Sequence, residues 1–597
     1  MPVDPGTAAM SGVNTGGRSV SIAIAGSGGS GVMTAGTMLL DAAAQAGLYG
    51  VMVRTSGPQI RGGEAAALLR IGPRPVSTLN DHFDLLIAMD WQNVHRFADE
   101  IPLRADSIVI GDTEGGDRPE VFARAGARYE PLPLKKLSKG FPGSWANMLV
   151  LGLAGGLLGL SEAALEAALR RSWKRSEEGL QANLAALRGG MGEAEAIADA
   201  PRLADAASGR PKRWLISGNE AAGFGAVRGG VRFVAAYPIT PATELLEWMA
   251  PALQKVGGTL LQAEDELASI NMIIGAAYGG VPSLTATAGP GLALMAEALG
   301  LAVTAEVPIV VVNVMRGGPS TGIPAKSEQS DLSFAVNGLH GDAPRLVLAP
   351  TSIADCIATT QWAVQLAEAL QAPAIVLSDQ YMGQSLAVID RQVDPGFVAR
   401  RLTAEANTPD YKRYLNTPSG VSPMAIPGTP GVRYTADGLE HTEAGIPSSQ
   451  AKDHALQLDK RERKLTQYDY GPWWADLEGE GDAAVITFGS VTGAVREALA
   501  RAAEQGARVR LIAIRLLAPA RHEAMAAALA GVERVLVVEQ NHSAQLLRYL
   551  RSEYDLPGKP ASFRRPGPLP LRPGELTDAI THWLQATAPA QAAEETA

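Results

Sequence analysis

Three acids stand in a row at Glu264, Asp265 and Glu266, just ahead of a mostly apolar run, Leu267-Ala268-Ser269-Ile270-Asn271-Met272-Ile273-Ile274-Gly275, with helical spacing. Carboxylates at a helix start are often only matched to the helix dipole, but a titratable group held in a cleft is also a candidate for chemistry. Upstream, Tyr237-Pro238-Ile239-Thr240-Pro241 directly follows the apolar stretch Phe233–Ala236. The prolines fix that turn and leave the Thr240 hydroxyl at the carboxyl end of a strand, where parallel sheets collect their ligands. Downstream come a turn of small residues, Thr285-Ala286-Thr287-Ala288-Gly289-Pro290-Gly291, and then Arg316-Gly317-Gly318-Pro319-Ser320-Thr321-Gly322 after the apolar Val310–Val314. An arginine in that place can fork onto a substrate carboxylate or pair with one of the nearby acids.

Nearer the start, Gly26-Ser27-Gly28-Gly29-Ser30-Gly31 follows the apolar alternation Ser19-Val20-Ser21-Ile22-Ala23-Ile24-Ala25. Such a loop can aim backbone N–H groups at a phosphate on a helix start, and it can equally be a tight turn. The acid that a dinucleotide ribose needs about 20 residues later is missing, because Val51–Arg54 offers only apolar or basic side chains. The next loop, Ser56-Gly57-Pro58-Gln59-Ile60-Arg61-Gly62-Gly63, adds an arginine and open amides suited to a phosphate ligand. A solvated arginine is the plainer account of it.

The elements that must hold these residues alternate between strand and helix. In the first part, strands are expected at Tyr49–Arg54, Ala66–Ile71, Leu85–Ala88 and Ser107–Ile110, with helices near Trp91–Ala98 and Leu160–Arg171. A second unit begins near Arg213, with strands at Phe233–Ala236, Ser283–Thr287, Ile309–Val314, Arg345–Ala349 and Ala374–Leu377. From Asp394 to Gln467 the period is lost and Pro, Gly, Thr and charge take over, which reads as an extended excursion. A third unit shows strands at Ala483–Thr487, Val509–Ile514 and Arg534–Glu539, with a helix at Ala494–Gln505. The fold class is therefore α/β, with three α/β domains. The expected limits are a leader at 1–18, a first domain at 19–200, a second at 210–393, the excursion at 394–475 and a third domain at 476–590.

Composition narrows the function. A chain of 597 residues exceeds one hydrophobic core, and 46% apolar with 19% charged residues is ordinary for a folded enzyme. The net charge of −10 argues against general nucleic-acid binding. Apolar runs such as Leu149–Leu160 are too short to span a bilayer, and no signal peptide is legible, so a cytoplasmic protein that binds neither membrane nor nucleic acid is expected. Cys356 is the one cysteine. Iron–sulfur clusters usually take four thiolates, so any cluster chemistry belongs to another chain, and no metal site is expected here.

Taken together, YPITP, EDE-L-A, TATAGPG and RGGPSTG, followed by Glu328-Gln329-Ser330-Asp331-Leu332, resemble the pyrimidine-binding domain of the 2-oxoacid:ferredoxin oxidoreductases. GSGGSG and SGPQIRGGEAAALLRIG resemble the family's gamma-type domain, fused in front of the alpha portion. YKRYLNTPSGVSPMAIPG and RYTADGLEH resemble the alpha excursion, and VVEQNHSAQLL resembles its transketolase-C-like domain. The resemblance implies that Glu266 hydrogen-bonds the aminopyrimidine of thiamine diphosphate, with Tyr237, Pro238 and Ile239 beside the cofactor. It implies that Thr240 and Arg316 grip the 1-carboxylate of the substrate. It also implies coenzyme A as co-substrate, for which Ser56, Gln59 and Arg61 are candidate contacts.

Two departures stand out. Ala325 occupies a place where the family usually has threonine, next to Lys326, and no Gly-Asp-Gly with a following Asn-rich stretch is present to hold magnesium and pyrophosphate. That half of the cofactor site, and a [4Fe–4S] cluster, are expected on a beta subunit in an (alpha-beta)2 assembly that reduces ferredoxin. The fusion and the RGGPSTG run favour 2-oxoglutarate as substrate, giving succinyl-CoA and carbon dioxide, with Lys326 or His340 as candidates for its distal carboxylate. Pyruvate or a branched 2-oxoacid, a non-redox thiamine enzyme and a non-catalytic scaffold are the competing readings.

Overall fold

Strand alternation in the first domain becomes a mixed sheet: Val20–Ser27 runs parallel to Leu85–Ala88 on one side and antiparallel to Glu64–Gly72 on the other, in register from Val20 opposite Ile71 to Ser27 opposite Glu64. The computed structural model describes residues 18–57, 63–92, 94–203 and 213–586. Across this sheet the order is Arg128–Leu132, Ile108–Asp112, Leu85–Ala88, Val20–Ser27, Glu64–Gly72, Tyr49–Ser56, Leu386–Asp390 and Arg213–Ser217. The last two strands come from the second stretch of sequence. Leu386 pairs with Met52 on one side and with Ser217 on the other, so the first sheet runs through the boundaries expected at 200 and 210.

The second sheet is parallel at its centre, in the order Leu346–Leu348, Ala374–Asp379, Val310–Met315, Ser283–Thr287, Phe233–Ala236 and Thr259–Gln262. Leu516–Ala518 from the third domain adds antiparallel at its edge. The central strands are buried throughout, as helices on both faces require. Cys356 lies in the helix Asp355–Leu370, fully buried with Sγ 3.4 Å from Met382 Sδ, and burial pushes its thiol pKa up. The third sheet has five strands, Ala475–Glu478, Val509–Ile514, Ala483–Phe488, Arg534–Glu539 and Ala561–Arg564. No helix among the described residues is long and apolar enough to cross a membrane.

Two expectations need correction. Among the described residues of Trp91–Ala98 none is α-helical, and Val94–Phe97 form a 3₁₀ turn. Trp91, Val94 and Phe97 are all buried, and their spacing of three is the 3₁₀ period rather than the α period. The excursion is not irregular throughout, because Ala451–Thr466 is a 16-residue helix. Its buried positions are Gln457, Lys460, Arg461, Lys464 and Leu465. The helical period is there, but charged side chains carry it, and an apolar pattern search passes over it.

Those charges meet a buried acid. Glu306 is fully buried and accepts from Lys460 Nζ at 2.5 Å and Lys464 Nζ at 2.9 Å, while its backbone carbonyl accepts from Arg413 Nη2 at 2.8 Å. Burial opposes ionisation of Glu306, but the ammonium groups of Lys460 and Lys464 outweigh it and hold the carboxyl far below its usual range. A buried ion pair of this kind fixes register more than it adds stability. Here it clamps the excursion onto the second domain.

Candidate active site

The helix Glu266–Tyr278 forms because Ile270, Ile273, Ile274 and Ala277 make one buried stripe. Asp265 caps it, its side chain accepting from Ala268 N–H at 2.7 Å. That places Glu266 on the first turn, 8% exposed. Among the described residues, its carboxylate makes no hydrogen bond and no ion pair. It packs beside the small-residue turn: a Cβ on Gly291 would fall 2.9 Å from Glu266 Oε1, 2.8 Å from its Cγ and 2.0 Å from Thr287 Oγ1. Only glycine allows Thr287 and Glu266 to pack this closely, because any side chain here would collide with both.

Arg316 follows the buried strand Val310–Met315 and is 7% exposed. Its Nη1 donates to the Thr240 carbonyl at 2.6 Å, and its Nε is buried without a partner. Burial lowers its pKa, and Asp331 works against that. Thr240 stands after the strand Phe233–Ala236, joined to Pro241 by a cis peptide bond, and Asn219 Nδ2 holds the Pro241 carbonyl at 2.8 Å. The Thr240 hydroxyl has no partner among the described residues. Thr240 and Arg316 thus stand together at strand carboxyl ends, and neither the Thr240 hydroxyl nor the Arg316 Nε has a partner among the described residues. Tyr237 is 41% exposed, and Ile239 packs against the core of the second domain.

Behind the arginine lies a network that the motif order did not single out by role. Ser330 Oγ lies 2.8 Å from the Arg316 carbonyl oxygen and 3.0 Å from Asp331 Oδ1, its one proton shared between these two acceptors, and Asn313 Nδ2 donates to Asp331 Oδ2 at 2.8 Å. Burial raises the Asp331 pKa, against the hydrogen bonds from Asn313 and Ser330. The neighbouring Gln329 exchanges backbone and side-chain bonds with Gln540 and Phe488, and Gln545 reaches the Ser330 carbonyl at 2.8 Å. Glu539 caps the helix Gln545–Glu553 through the Leu546 and Leu547 amides. The EQSDL and VEQNHSAQ stretches are therefore two halves of one domain contact.

The remaining candidates make other contacts. Lys326 Nζ is 2.5 Å from both Glu100 Oε1 and Thr55 Oγ1, so its ammonium is already engaged. His340 is exposed, and among the described residues no hydrogen bond or ion pair joins it to Glu266, Thr240 or Arg316. Ser56 ends the strand Tyr49–Ser56, half-buried opposite Ala65; Gln59 and Arg61 lie outside the described residues. The glycine loop spends two amides within the protein, Ser30 N–H on the Ser27 carbonyl, as a tight turn does, and Gly28 N–H on the Gly63 carbonyl of the next loop. No cluster of potential metal ligands occurs among the described residues.

These residues fit thiamine diphosphate: a mostly buried carboxylate without a partner among the described residues is left for a ligand's hydrogen bond, as the pyrimidine ring needs.

Comparison with known proteins agrees. Residues 224–460 match the family described as pyruvate flavodoxin/ferredoxin oxidoreductase, thiamine diphosphate-binding. Residues 21–193 match pyruvate ferredoxin/flavodoxin oxidoreductase, and 481–555 match pyruvate:ferredoxin oxidoreductase core domain II. The 2-oxoacid:ferredoxin oxidoreductase subunit alpha of Saccharolobus solfataricus is 34% identical over 67% of this chain and 65% of its own length. That of Sulfolobus sp is 30% identical over 87% of this chain and 90% of its own. The solved 2-oxoglutarate:ferredoxin oxidoreductase of Magnetococcus marinus, with 2-oxoglutarate, coenzyme A and succinyl-CoA bound, is 37% identical with a TM-score of 0.87, covering 95% of this chain and 99% of that one. The chain belongs to the 2-oxoacid:ferredoxin oxidoreductases, as an alpha-type subunit with a thiamine-diphosphate-binding domain.

Proposed function

We propose that this chain, joined to a beta subunit bearing a [4Fe–4S] cluster and the magnesium–pyrophosphate site, oxidises 2-oxoglutarate with coenzyme A to succinyl-CoA and carbon dioxide. The two electrons released leave one at a time to ferredoxin. The observation that carries this reading is the Glu266 carboxylate, packed against Gly291 and unpartnered among the described residues, with Thr240 and Arg316 together at strand ends. When bound, thiamine diphosphate supplies a nucleophilic carbon for the keto group and a sink for the electron pair freed on decarboxylation.

The chain's own residues then divide the work. Glu266 holds a proton at N1′ of the pyrimidine, a role open to it because no protein donor competes for its oxygens. Arg316, with Nε free, and the Thr240 hydroxyl orient the 1-carboxylate by charge-assisted hydrogen bonding. The Arg316–Thr240 carbonyl bond fixes the guanidinium before substrate arrives, so little reorganisation is left for the reaction. Tyr237, Pro238 and Ile239 line the cofactor beside them. Ser56, Gln59 and Arg61 contact coenzyme A, and Arg61→Ala raises the KM for coenzyme A if so. The choice of 2-oxoglutarate is supported by the Magnetococcus marinus relative, which has that acid bound.

The test is reduction of a viologen dye by the purified complex of this chain and its beta subunit, with thiamine diphosphate, coenzyme A and a panel of 2-oxoacids. We expect the highest kcat/KM with 2-oxoglutarate. Dye reduction with none of the acids overturns the function, and a clear preference for pyruvate overturns the substrate.

A further inference from the structure

We infer that Glu100, in the first domain, is a positioning residue for the substrate grip in the second, acting through Lys326. The inference rests on the reading that Arg316 grips the 2-oxoacid carboxylate.

Arg316 opens a loop with an exposed tip at Pro319–Gly322. Only its base is closed: Gly317 N–H donates to the Lys326 carbonyl at 3.0 Å, Ile323 N–H to the Gly317 carbonyl at 2.8 Å, and Lys326 N–H to the Ile323 carbonyl at 3.1 Å. The residue next to Arg316 is therefore bonded to the backbone of Lys326. A lysine on a four-carbon stem fixes nothing by itself, but this ammonium sits 2.5 Å from Glu100 Oε1 and 2.5 Å from Thr55 Oγ1. The Lys326 and Glu100 side chains are only 16% and 12% exposed, so water and salt screen the pair weakly.

Glu100 is itself held. Its N–H bonds the Phe97 carbonyl at 2.9 Å, and its own carbonyl accepts from Arg572 Nη2 of the third domain at 2.8 Å. All three domains meet at this residue. The fused first domain thus carries an anchor for the loop that aims Arg316, and Lys326 spends its charge on that anchor instead of on the distal end of a substrate.

Lys326→Met and Glu100→Gln, each in the complete complex, are compared on 2-oxoglutarate and on pyruvate. Both acids share the 1-carboxylate that Arg316 holds and differ at the distal end. Because losing part of a grip made equally in the ground and transition states raises KM and leaves kcat alone, and a charge-assisted bond carries about 10- to 100-fold in binding, we expect each variant to raise KM about tenfold or more. The factor should be the same for both acids, and kcat should change little. Lys326→Arg should stay near wild type, and the exchange Glu100→Lys with Lys326→Glu should bring KM back toward it.

A KM rise for 2-oxoglutarate alone in Lys326→Met, absent in Glu100→Gln, overturns the inference and makes Lys326 a distal-carboxylate contact. Unchanged KM in both variants also overturns it. If the single variants do not fold, the exchange decides: KM near wild type supports the anchor and a persistent rise refutes it. A wild-type complex that oxidises no 2-oxoacid refutes the function proposed above, not the anchor.

Discussion

Glu266→Gln should separate catalysis from folding. Glutamine has the same shape, so no cavity opens. The carboxylate it replaces is 8% exposed and loses no hydrogen bond or ion pair among the described residues. The one favourable term removed is the charge on the first turn of the helix Glu266–Tyr278, worth about 0.3–1 kcal/mol. Relief of an unpaired, mostly buried charge works in the opposite direction. The net change in stability should therefore stay within about 1 kcal/mol. Catalysis should respond very differently, because a positioned proton-transfer group contributes about 10²- to 10⁴-fold, equivalent to about 2.7–5.4 kcal/mol at 1.36 kcal/mol per decade. Losing a hydrogen bond to a charged group should also weaken thiamine diphosphate binding by about 1.5–3 kcal/mol. Thermal unfolding of the isolated chain, calorimetric titration of the cofactor and dye reduction by the complex give the three readouts. Wild-type turnover with unchanged cofactor affinity would refute the assignment of Glu266, and a large fall in thermal midpoint would show that the side chain is structural.

Arg316→Ala should raise the KM for the 2-oxoacid and lower kcat/KM by about 10- to 100-fold, in line with about 1.5–3 kcal/mol for a lost charge-assisted bond; steady-state kinetics with normal parameters would remove the carboxylate grip. Gly291→Ala puts a methyl group 2.0 Å from Thr287 Oγ1 and 2.8 Å from Glu266 Cγ, so cofactor affinity should fall steeply while far-ultraviolet circular dichroism is kept. Glu306→Gln leaves two buried ammonium groups without their counter-ion and should destabilise the chain by about 3–5 kcal/mol, readable in denaturant unfolding. Burial lowers the Lys464 pKa to about 7, against the pull of Glu306. Between that value and the ordinary 10.5, the unfolded chain binds a proton that the native one has released. Stability from this group therefore rises with pH through the window and is lost as pH falls toward 7. Lys464→Met should flatten that slope relative to wild type.

Much of the architecture was legible because the central strands announce themselves: Phe233–Ala236, Ser283–Thr287, Val509–Ile514 and Arg534–Glu539 are apolar runs between polar turns, and the sheets use the same residues. What sequence could not reveal is where an edge strand finds its partner. Arg213–Ser217 and Leu386–Asp390 carry no mark directing them to a sheet built by residues 20–132, since register across hundreds of residues is decided by which edge is free. The site divides along the same line. Glu266, Thr240 and Arg316 were visible because each stands at an element boundary, where local sequence fixes the side chain's position, and the hydrogen bond joining Arg316 to Thr240 crosses 76 residues between two such boundaries. Lys326 was visible as a charge but not as an anchor, because its meaning depends on Glu100, 226 positions away in a different domain. A motif ranks residues by chemical type, and only the fold says whether a charge is spent within the protein or left free for a ligand. In this chain Lys326, Lys460 and Lys464 are spent, while the Glu266 carboxylate and the Arg316 Nε are free. A charged group left partly unsatisfied in the interior forgoes stability there; on the function proposed above, thiamine diphosphate completes Glu266 and the 2-oxoacid carboxylate completes Arg316.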